Sequence, residues 1–169
     1  RSHKKLNFLC LYYWHKSTPA VVGFYGICYK IFDLYLWKIK FIRDLLGLQI
    51  PDLNGSWTVT LRSSYDDFKD EHYAKLCIQQ TWTRISIRFE NETSSSYSKT
   101  ASIYANDLCG TKISYEYQNN PNADTVDTMN IHIGFACLRL LENNNILDGE
   151  YFSNSGRKNY GRMLISKAL

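Results

Sequence analysis

From Asn54 onward the chain alternates apolar and polar residues with a period of two. The clearest case is the run 56–62, where Trp57, Val59 and Leu61 alternate with serine, threonine and arginine residues. Such alternation is typical of a half-buried β-strand. The same criteria predict further strands at Leu76–Phe89, Ser95–Ala105, Thr111–Gln118, Thr128–Leu141, Ile146–Ser153 and Tyr160–Ser166. The segment from 76 to 89 changes face near Thr83, which indicates a bulge or two short strands.

The links between these strands are rich in turn-forming residues, such as Asn119-Asn120-Pro121-Asn122 and Ser153-Asn154-Ser155-Gly156. Short strands at regular spacing form an antiparallel meander, and a meander of this size commonly closes on itself, which removes its edges. We therefore predict a mainly β fold over 55–169. It is a closed up-and-down antiparallel barrel of about eight strands that serves as a ligand-binding domain.

Residues 1–50 have the pattern of a helix instead. Thr18-Pro19 is a typical helix start and Gly47 a typical helix stop, so we predict a long N-terminal helix over about 19–46. Leu6–Trp14 is a second apolar run, too short to span a membrane. Residues 51–54 are predicted to form a hinge between this segment and the barrel.

Two interpretations of the long helix stay open. The stretch 19–37 has the length of a membrane span but contains Lys30 and Asp33. As a membrane-type helix it would be followed by Lys38, Lys40 and Arg43, which predicts an inner-membrane protein whose barrel faces the cytoplasm. As an amphipathic helix it would pack its apolar stripe on the barrel or on a second copy.

The charge distribution separates the same two segments. Residues 1–53 carry a net charge of +5 and eleven of the 25 aromatic residues, whereas 54–169 carry −1. A basic, aromatic segment suits a membrane interface, and a barrel without net positive charge argues against a DNA or RNA polymer as partner. The five cysteines form no CxxC pair and are predicted to be free thiols in a reducing compartment.

Catalytic motifs are missing from the sequence. It contains no GxSxG, HExxH or P-loop pattern, and its histidines are not spaced as metal ligands. The acidic run 66–71 could mimic a metal cluster, but a solvated loop is the simpler interpretation. We therefore predict that the protein is not an enzyme and needs no metal or cofactor.

Strand direction indicates where a ligand would bind. Counting Leu76–Phe89 as one strand, the end of the barrel where the first strand begins also holds the loops 90–94, 119–126 and 153–159, and the opposite end holds 65–71. The first of these ends is rich in aromatic, hydroxyl and amide side chains and has one arginine. The predicted ligand-binding residues are Ser94, Ser96, Tyr115, Tyr117, Asn119, Asn130, His132, Tyr151, Arg157 and Tyr160.

Two interpretations of this cluster are open. Tyrosine rings that stack on bases, with hydroxyl and guanidinium donors for phosphate, fit a small anionic nucleotide. Alternatively, the tyrosines pack the barrel interior and their hydroxyls reach solvent at its rim.

The sequence also resembles a known family, the two-transmembrane β-barrel effectors of bacterial CBASS anti-phage defence (the SMODS-associating 2TM β-strand-rich effectors). The resemblance covers roughly 20–167, and its fragments occur in the family's order and spacing. They are Leu36-Trp37-Lys38, Ile50–Trp57, Ser63-Ser64, Gln80-Thr81-Trp82, Ser94/Ser96/Ser98, Tyr115–Pro121, His132-Ile133-Gly134, Leu147–Phe152 and Tyr160-Gly161-Arg162.

The resemblance implies a barrel that senses a cyclic dinucleotide second messenger during abortive infection. Ligand binding would drive homo-oligomerisation, and the N-terminal helix would then disrupt the inner membrane. The chain departs from the family pattern because it lacks a full first transmembrane helix. Two other functions remain candidates: a lipocalin-like barrel that carries an apolar ligand, and a membrane-anchored scaffold whose barrel is filled.

Overall fold

A computed structural model describes residues 20–105, 110–123, 125, 130–141, 145–154 and 158–168. The chain forms two compact units, one up to Leu48 and one from Gln49 onward. The predicted helix start at Thr18-Pro19 and the apolar run Leu6–Trp14 lie outside the described residues.

In the described part of the first unit, from residue 20 onward, two helices occur where one long helix was predicted. Helix α1 covers 20–34, a 3-10 turn follows at Leu36–Lys38, and helix α2 is Lys40–Leu46. The chain leaves helical geometry at Ile39, whose φ and ψ are −71° and 122°. The prediction of a continuous helix over 19–46 is therefore wrong. Of the helices in the described part of the chain, none has the length and apolar character that crossing a membrane requires.

The break accompanies the burial of Trp37. This side chain is fully buried, whereas most of α1 is exposed. The cationic groups of Lys38 and Arg43 lie 5.7 and 5.9 Å from the centroid of its ring. Hydrophobic periodicity cannot detect such a break, because one buried aromatic side chain can outweigh a few helical hydrogen bonds. The predicted stop is confirmed: Gly47 ends α2 with a left-handed φ of 63°.

The second unit is a closed barrel in which each of eight strands pairs antiparallel with the next, and the last with the first. This confirms the predicted fold class of the barrel. The strands are β1 Gly55–Ser63, β2 His72–Gln80, β3 Ile85–Glu90, β4 Ser94–Tyr104, β5 Lys112–Pro121, β6 His132–Leu140, β7 Ile146–Ser153 and β8 Tyr160–Lys167. A short 3-10 turn, Ser64–Asp66, follows β1.

The barrel interior is filled at one end by the inward-facing side chains of the strands. Trp57, Val59 and Leu61 face inward as their alternation predicts. They pack in a core with apolar residues from the other strands, including Leu76, Ile78, Ile87, Ile113, Leu138, Leu147 and Ile165. The remaining interior, toward the other end, is not filled.

The strand directions correct one prediction. The segment 76–89 contains two strands, β2 and β3, joined by a turn at 81–84. The extra strand reverses the direction of every later strand relative to β1. The connections 64–71 and 91–93, and the described residues of the connections after β5 and β7, therefore lie together at the end of the barrel where β1 finishes, which we call the open end. The acidic loop and the predicted binding residues that the structure describes belong to the same end, not to opposite ends.

The other end, which we call the closed end, receives the chain at 51–54. Leu53 is fully buried there, and its carbonyl accepts a hydrogen bond of 3.1 Å from the indole of Trp57. The side-chain amide of Gln80 accepts from the backbone N–H of Leu53 at 2.9 Å and donates to the carbonyl of Pro51 at 3.0 Å. The segment predicted to be a hinge is therefore bonded to the barrel, at the end opposite the cavity.

Candidate functional site

A cavity of about 350 Å³ opens at the open end of the barrel. This volume lies in the range of small-molecule sites, which are usually apolar with a few converging polar groups. Its residues come from all eight strands and from the connections at that end. They are Leu61, Ser63, Tyr65, His72, Ile87, Phe89, Asn91, Thr93, Ser94, Ser96, Tyr115, Tyr117, Asn119, Thr125, His132, Tyr151, Ser153, Asn159 and Met163.

Tyrosines Tyr115 and Tyr117 of β5 contribute buried aromatic surface to the cavity. Their ring centroids are 6.1 Å apart and the rings are tilted by 52°. Burial, and then the neighbouring Tyr117, raises the pKa of Tyr115 well above its ordinary value. The hydroxyl of Tyr115 therefore stays protonated at physiological pH. Together with the apolar side chains of Leu61, Ile87, Phe89 and Met163, the two rings form an uncharged floor.

Two glycines make room for tyrosines of this cavity. Gly134 lies directly across the β5–β6 ladder from Tyr117, and a Cβ at this position would overlap the end of that tyrosine ring. Gly161 has the same relation to Tyr151 across the β7–β8 ladder. Each ring therefore lies over a strand backbone, which fixes its position in the wall of the cavity.

The rim of the cavity is a network of hydroxyls and amides. The Ser96 hydroxyl donates to Asn119 Oδ1 at 2.7 Å. Asn91 Oδ1 accepts from both the backbone N–H of Ser94 and its hydroxyl, at 2.7 and 3.1 Å. Mutual hydrogen bonds hold these side chains in place before a ligand arrives, which lowers the entropy cost of binding.

Tyr151 is held on the opposite side of the rim. Its hydroxyl donates to Ser63 Oγ at 2.9 Å, and Ser63 Oγ also accepts from the backbone N–H of Tyr65 at 3.1 Å. This contact links β7 to the end of β1. It places a tyrosine ring and two hydroxyl groups beside the cavity.

Two imidazoles complete the site. His72 Nε2 donates to Asp66 Oδ2 at 2.7 Å, and His132 Nδ1 donates to the carbonyl of Asn130 at 3.0 Å. Burial is the largest single influence and acts to raise the pKa of Asp66. The hydrogen bond and electrostatic attraction from His72, together with backbone hydrogen bonds, exceed it and hold this pKa below its usual value. Asp66 is therefore a carboxylate at neutral pH.

Seven of the ten predicted binding residues line this cavity: Ser94, Ser96, Tyr115, Tyr117, Asn119, His132 and Tyr151. Asn130 is exposed and contributes its carbonyl to His132. Tyr160 faces outward, and its ring packs against Phe68 with centroids 5.7 Å apart. Neither Asn130 nor Tyr160 is among the residues that line the cavity. Arg157 lies outside the described residues.

Sequence reasoning missed the contributions of β1, β2 and β3. Ser63 and His72 line the cavity because β1 ends, and β2 begins, at the open end. A correct strand count would have placed both residues at the open end, because an inward-facing residue at the end of β1 or at the start of β2 lies there.

A closed eight-stranded barrel with a polar-rimmed cavity at one end defines a small ligand-binding β-barrel. Residues 48–167, which include every residue of the cavity, match the family model described as Cap15, cyclic dinucleotide receptor domain. The chain is also 30% identical over 169 residues to CD-NTase-associated protein 15 of Yersinia aleksiciae, covering 96% of this chain and 79% of that protein.

The chain therefore belongs to the Cap15 family and carries its cyclic dinucleotide receptor domain. This confirms the resemblance to the β-barrel effectors of CBASS.

Proposed function

We propose that the open-end cavity binds the cyclic dinucleotide, and that ligand binding turns the chain into an effector of CBASS antiviral defence. The observation that carries the proposal is the cavity itself. It combines an aromatic and apolar floor with a rim of preorganised hydrogen-bond groups, and it lies entirely within the residues matched by the receptor family. A cyclic dinucleotide offers apolar base faces and polar ribose and phosphate groups, so it needs both kinds of surface.

In this proposal the bases contact tyrosine rings and the backbone of the ligand contacts the rim. Stacking of a base on an aromatic side chain contributes about 1–3 kcal/mol per base. Tyr117 and Tyr151 are the candidates for this role, since both rings line the cavity and both are backed by glycine. Ser96, Asn119 and the two imidazoles are the candidates for the ribose and phosphate groups.

The effector step is proposed to be homo-oligomerisation followed by disruption of the bacterial inner membrane through the N-terminal segment. That segment supports the proposal through its net charge of +5 and its aromatic content. Within α1, large apolar side chains such as Val21, Phe24, Tyr25 and Ile27 are exposed. Exposed apolar surface next to basic residues is typical of a membrane-interface segment. The barrel is then expected on the cytoplasmic side.

One observation favours a second candidate function, a carrier of an apolar ligand. The floor of the cavity contains Leu61, Ile87, Phe89 and Met163, as a site for a fatty acid would. The polar rim argues for the dinucleotide, since an apolar ligand would make no hydrogen bonds with those groups and would remove them from water. The filled-barrel scaffold does not fit a barrel with an open cavity.

Thermal denaturation of the whole chain with a ligand panel tests the proposal. The panel contains 3′,3′-cyclic di-AMP, cyclic di-GMP, cyclic GMP–AMP, cyclic UMP–AMP and a series of fatty acids. A ligand at 100 times its Kd stabilises the folded state by about 2.7 kcal/mol, which gives a clear increase in Tm. An increase with a cyclic dinucleotide supports the receptor function. An increase with fatty acids alone would support the carrier.

A further inference from the structure

His72 and His132 occupy equivalent positions on opposite walls of the barrel. His72 is the first residue of β2 and His132 the first residue of β6, and both strands begin at the open end. Both side chains face inward and line the cavity. Since β2 and β6 are four strands apart in either direction around a closed barrel of eight, the two imidazoles face the cavity from opposite sides.

In each imidazole, one ring nitrogen already forms a hydrogen bond with a protein group that can act only as an acceptor. Nε2 of His72 donates to the Asp66 carboxylate, and Nδ1 of His132 donates to the Asn130 carbonyl. The single N–H of each neutral ring is therefore used in a hydrogen bond within the protein, and the second ring nitrogen carries a lone pair. A phosphate oxygen is also only an acceptor, so it can pair with that nitrogen only after the ring gains a second proton.

The two imidazoles are the candidates for a positively charged group in the cavity, as the surrounding side chains show. Asp66 contacts His72, with 2.7 Å between Oδ2 and Nε2. The other titratable side chains that line the cavity are the tyrosines Tyr65, Tyr115, Tyr117 and Tyr151. Around His132, the paired residue Asn119 on β5 is uncharged, as is Ser153 on β7. Within the described part of the chain, no lysine, arginine, aspartate or glutamate lines the cavity.

We propose that His72 and His132 each bind one of the two phosphates of a cyclic dinucleotide, both as imidazolium ions. This inference rests on the proposed function and deepens it. A cyclic dinucleotide carries its two phosphates on opposite sides of one ring, as the two histidines lie on opposite sides of one barrel. Binding then takes up protons from solvent, up to two for each ligand molecule, and affinity increases as the pH falls.

The position of each bond also explains how the imidazoles are oriented. Asp66 and the Asn130 carbonyl fix one edge of each ring, so that the other edge is available to the ligand. Asp66 is therefore a positioning residue, whereas the histidines are ligand-binding residues.

Isothermal titration calorimetry of the whole chain tests this inference. The probe is the member of the cyclic dinucleotide panel that raises Tm most, measured at one pH in phosphate and in Tris buffer. These buffers differ in ionisation enthalpy, so the difference in binding heat gives the number of protons taken up. We expect an uptake of more than one proton per ligand. Each coupled proton changes the affinity by up to about tenfold per pH unit.

Two variants retain the structural hydrogen bonds and remove the titratable nitrogens. The amide nitrogen of glutamine mimics Nε2, so His72→Gln keeps the donor to Asp66, and His132→Asn likewise keeps the donor to Asn130. Each should lower the uptake by about one proton and weaken binding more at pH 6 than at pH 9. Asp66→Ala removes the acceptor that orients His72, so it should weaken binding although Asp66 itself does not contact the ligand. Ser86→Ala, on the outer face of β3, should change neither quantity.

The outcomes separate this inference from the proposed function. Tight binding of a cyclic dinucleotide with the same heat in both buffers would overturn the inference and leave the receptor function standing. Uptake that persists in the variant carrying both histidine substitutions would also overturn it, since the protons would then go elsewhere. Failure of every cyclic dinucleotide to bind at any pH would overturn the proposed function. The measurement on the unaltered chain is decisive even if a variant does not fold.

Discussion

Asn54 and Gln80 hydrogen-bond each other twice, side chain to backbone. Asn54 Oδ1 accepts from the backbone N–H of Gln80 at 2.7 Å, and Asn54 Nδ2 donates to the Gln80 carbonyl at 3.0 Å. The Gln80 side chain in turn bonds the backbone of Leu53 and Pro51. The segment that leads into the barrel is thereby attached to the end of β2. The chain therefore enters the barrel at the end opposite the cavity.

The first prediction concerns this attachment. Gln80→Ala removes two hydrogen bonds from buried backbone groups, so it should lower the free energy of unfolding by about 1–3 kcal/mol. Gln79→Ala is the matched control, because Gln79 is the neighbouring glutamine and faces outward. Urea unfolding measures both. A loss of stability as large for Gln79→Ala as for Gln80→Ala would contradict the role of the buried amide.

The second prediction concerns the rim of the cavity. Ser96→Ala leaves the Asn119 side chain without its 2.7 Å donor and removes a hydroxyl from the site. A neutral hydrogen bond contributes about 0.5–1.5 kcal/mol, so the affinity for a cyclic dinucleotide should fall by roughly three- to tenfold. Ser95→Ala is the control, since Ser95 is adjacent on β4 but does not line the cavity. Equal affinities of the two variants would argue against a rim site.

The third prediction concerns pH and stability. Arg162 donates to Asp148 from two nitrogens, at 3.1 and 2.8 Å, and this contact holds the pKa of Asp148 below its usual value. A lowered carboxyl pKa stabilises the fold above the pKa of the unfolded chain, about 3.9 for aspartate. That contribution is lost as the pH falls through the lower folded-state value.

Arg162→Gln should therefore raise the pKa of Asp148, which NMR titration of the carboxyl would show. The loss of stability at pH 7 should be modest, because the arginine is largely exposed. The difference between the variant and the unaltered chain should shrink as the solution becomes acidic. A difference that stays constant down to pH 2 would mean that the ion pair is not its cause. Lys75→Gln, on the outer face of β2, is the control.

The fourth prediction concerns the N-terminal unit. A chain that begins at Gln49 keeps the buried Leu53 and the Asn54–Gln80 pair, so it should bind a cyclic dinucleotide. It should not release dye from vesicles that contain anionic lipid, because it lacks the basic, aromatic segment. The whole chain should release dye only when a cyclic dinucleotide is supplied.

Two results would contradict this division of roles. One is equal leakage from the chain that begins at Gln49, and the other is leakage from the whole chain without ligand. As a matched variant, the whole chain with Phe24 and Ile27 changed to serine should bind as before and release less dye, since both side chains are exposed on α1. A loss of binding in this variant would mean that α1 contributes to the receptor site.

The strands of the barrel follow from the sequence alone, because their signal is local. Trp57, Val59 and Leu61 alternate with polar residues, and the backbone of any strand sends alternate side chains to opposite faces. Ser96 and Tyr117 face inward by the same alternation in β4 and β5. Closure also followed from the sequence, since a meander of this length removes its edges by pairing its last strand with its first.

The end of the barrel at which a residue lies was decided only by the tertiary structure. Strand direction depends on the number of strands before it, so one turn at 81–84 reversed the relation between β1 and the cavity. The sequence also could not predict the hydrogen bond between His72 and Asp66, or the burial of Trp37. Alternation and helical spacing are patterns among residues that lie close together in the sequence. Contacts between distant segments depend on how the whole chain closes, and packing at one such contact can outweigh local preference.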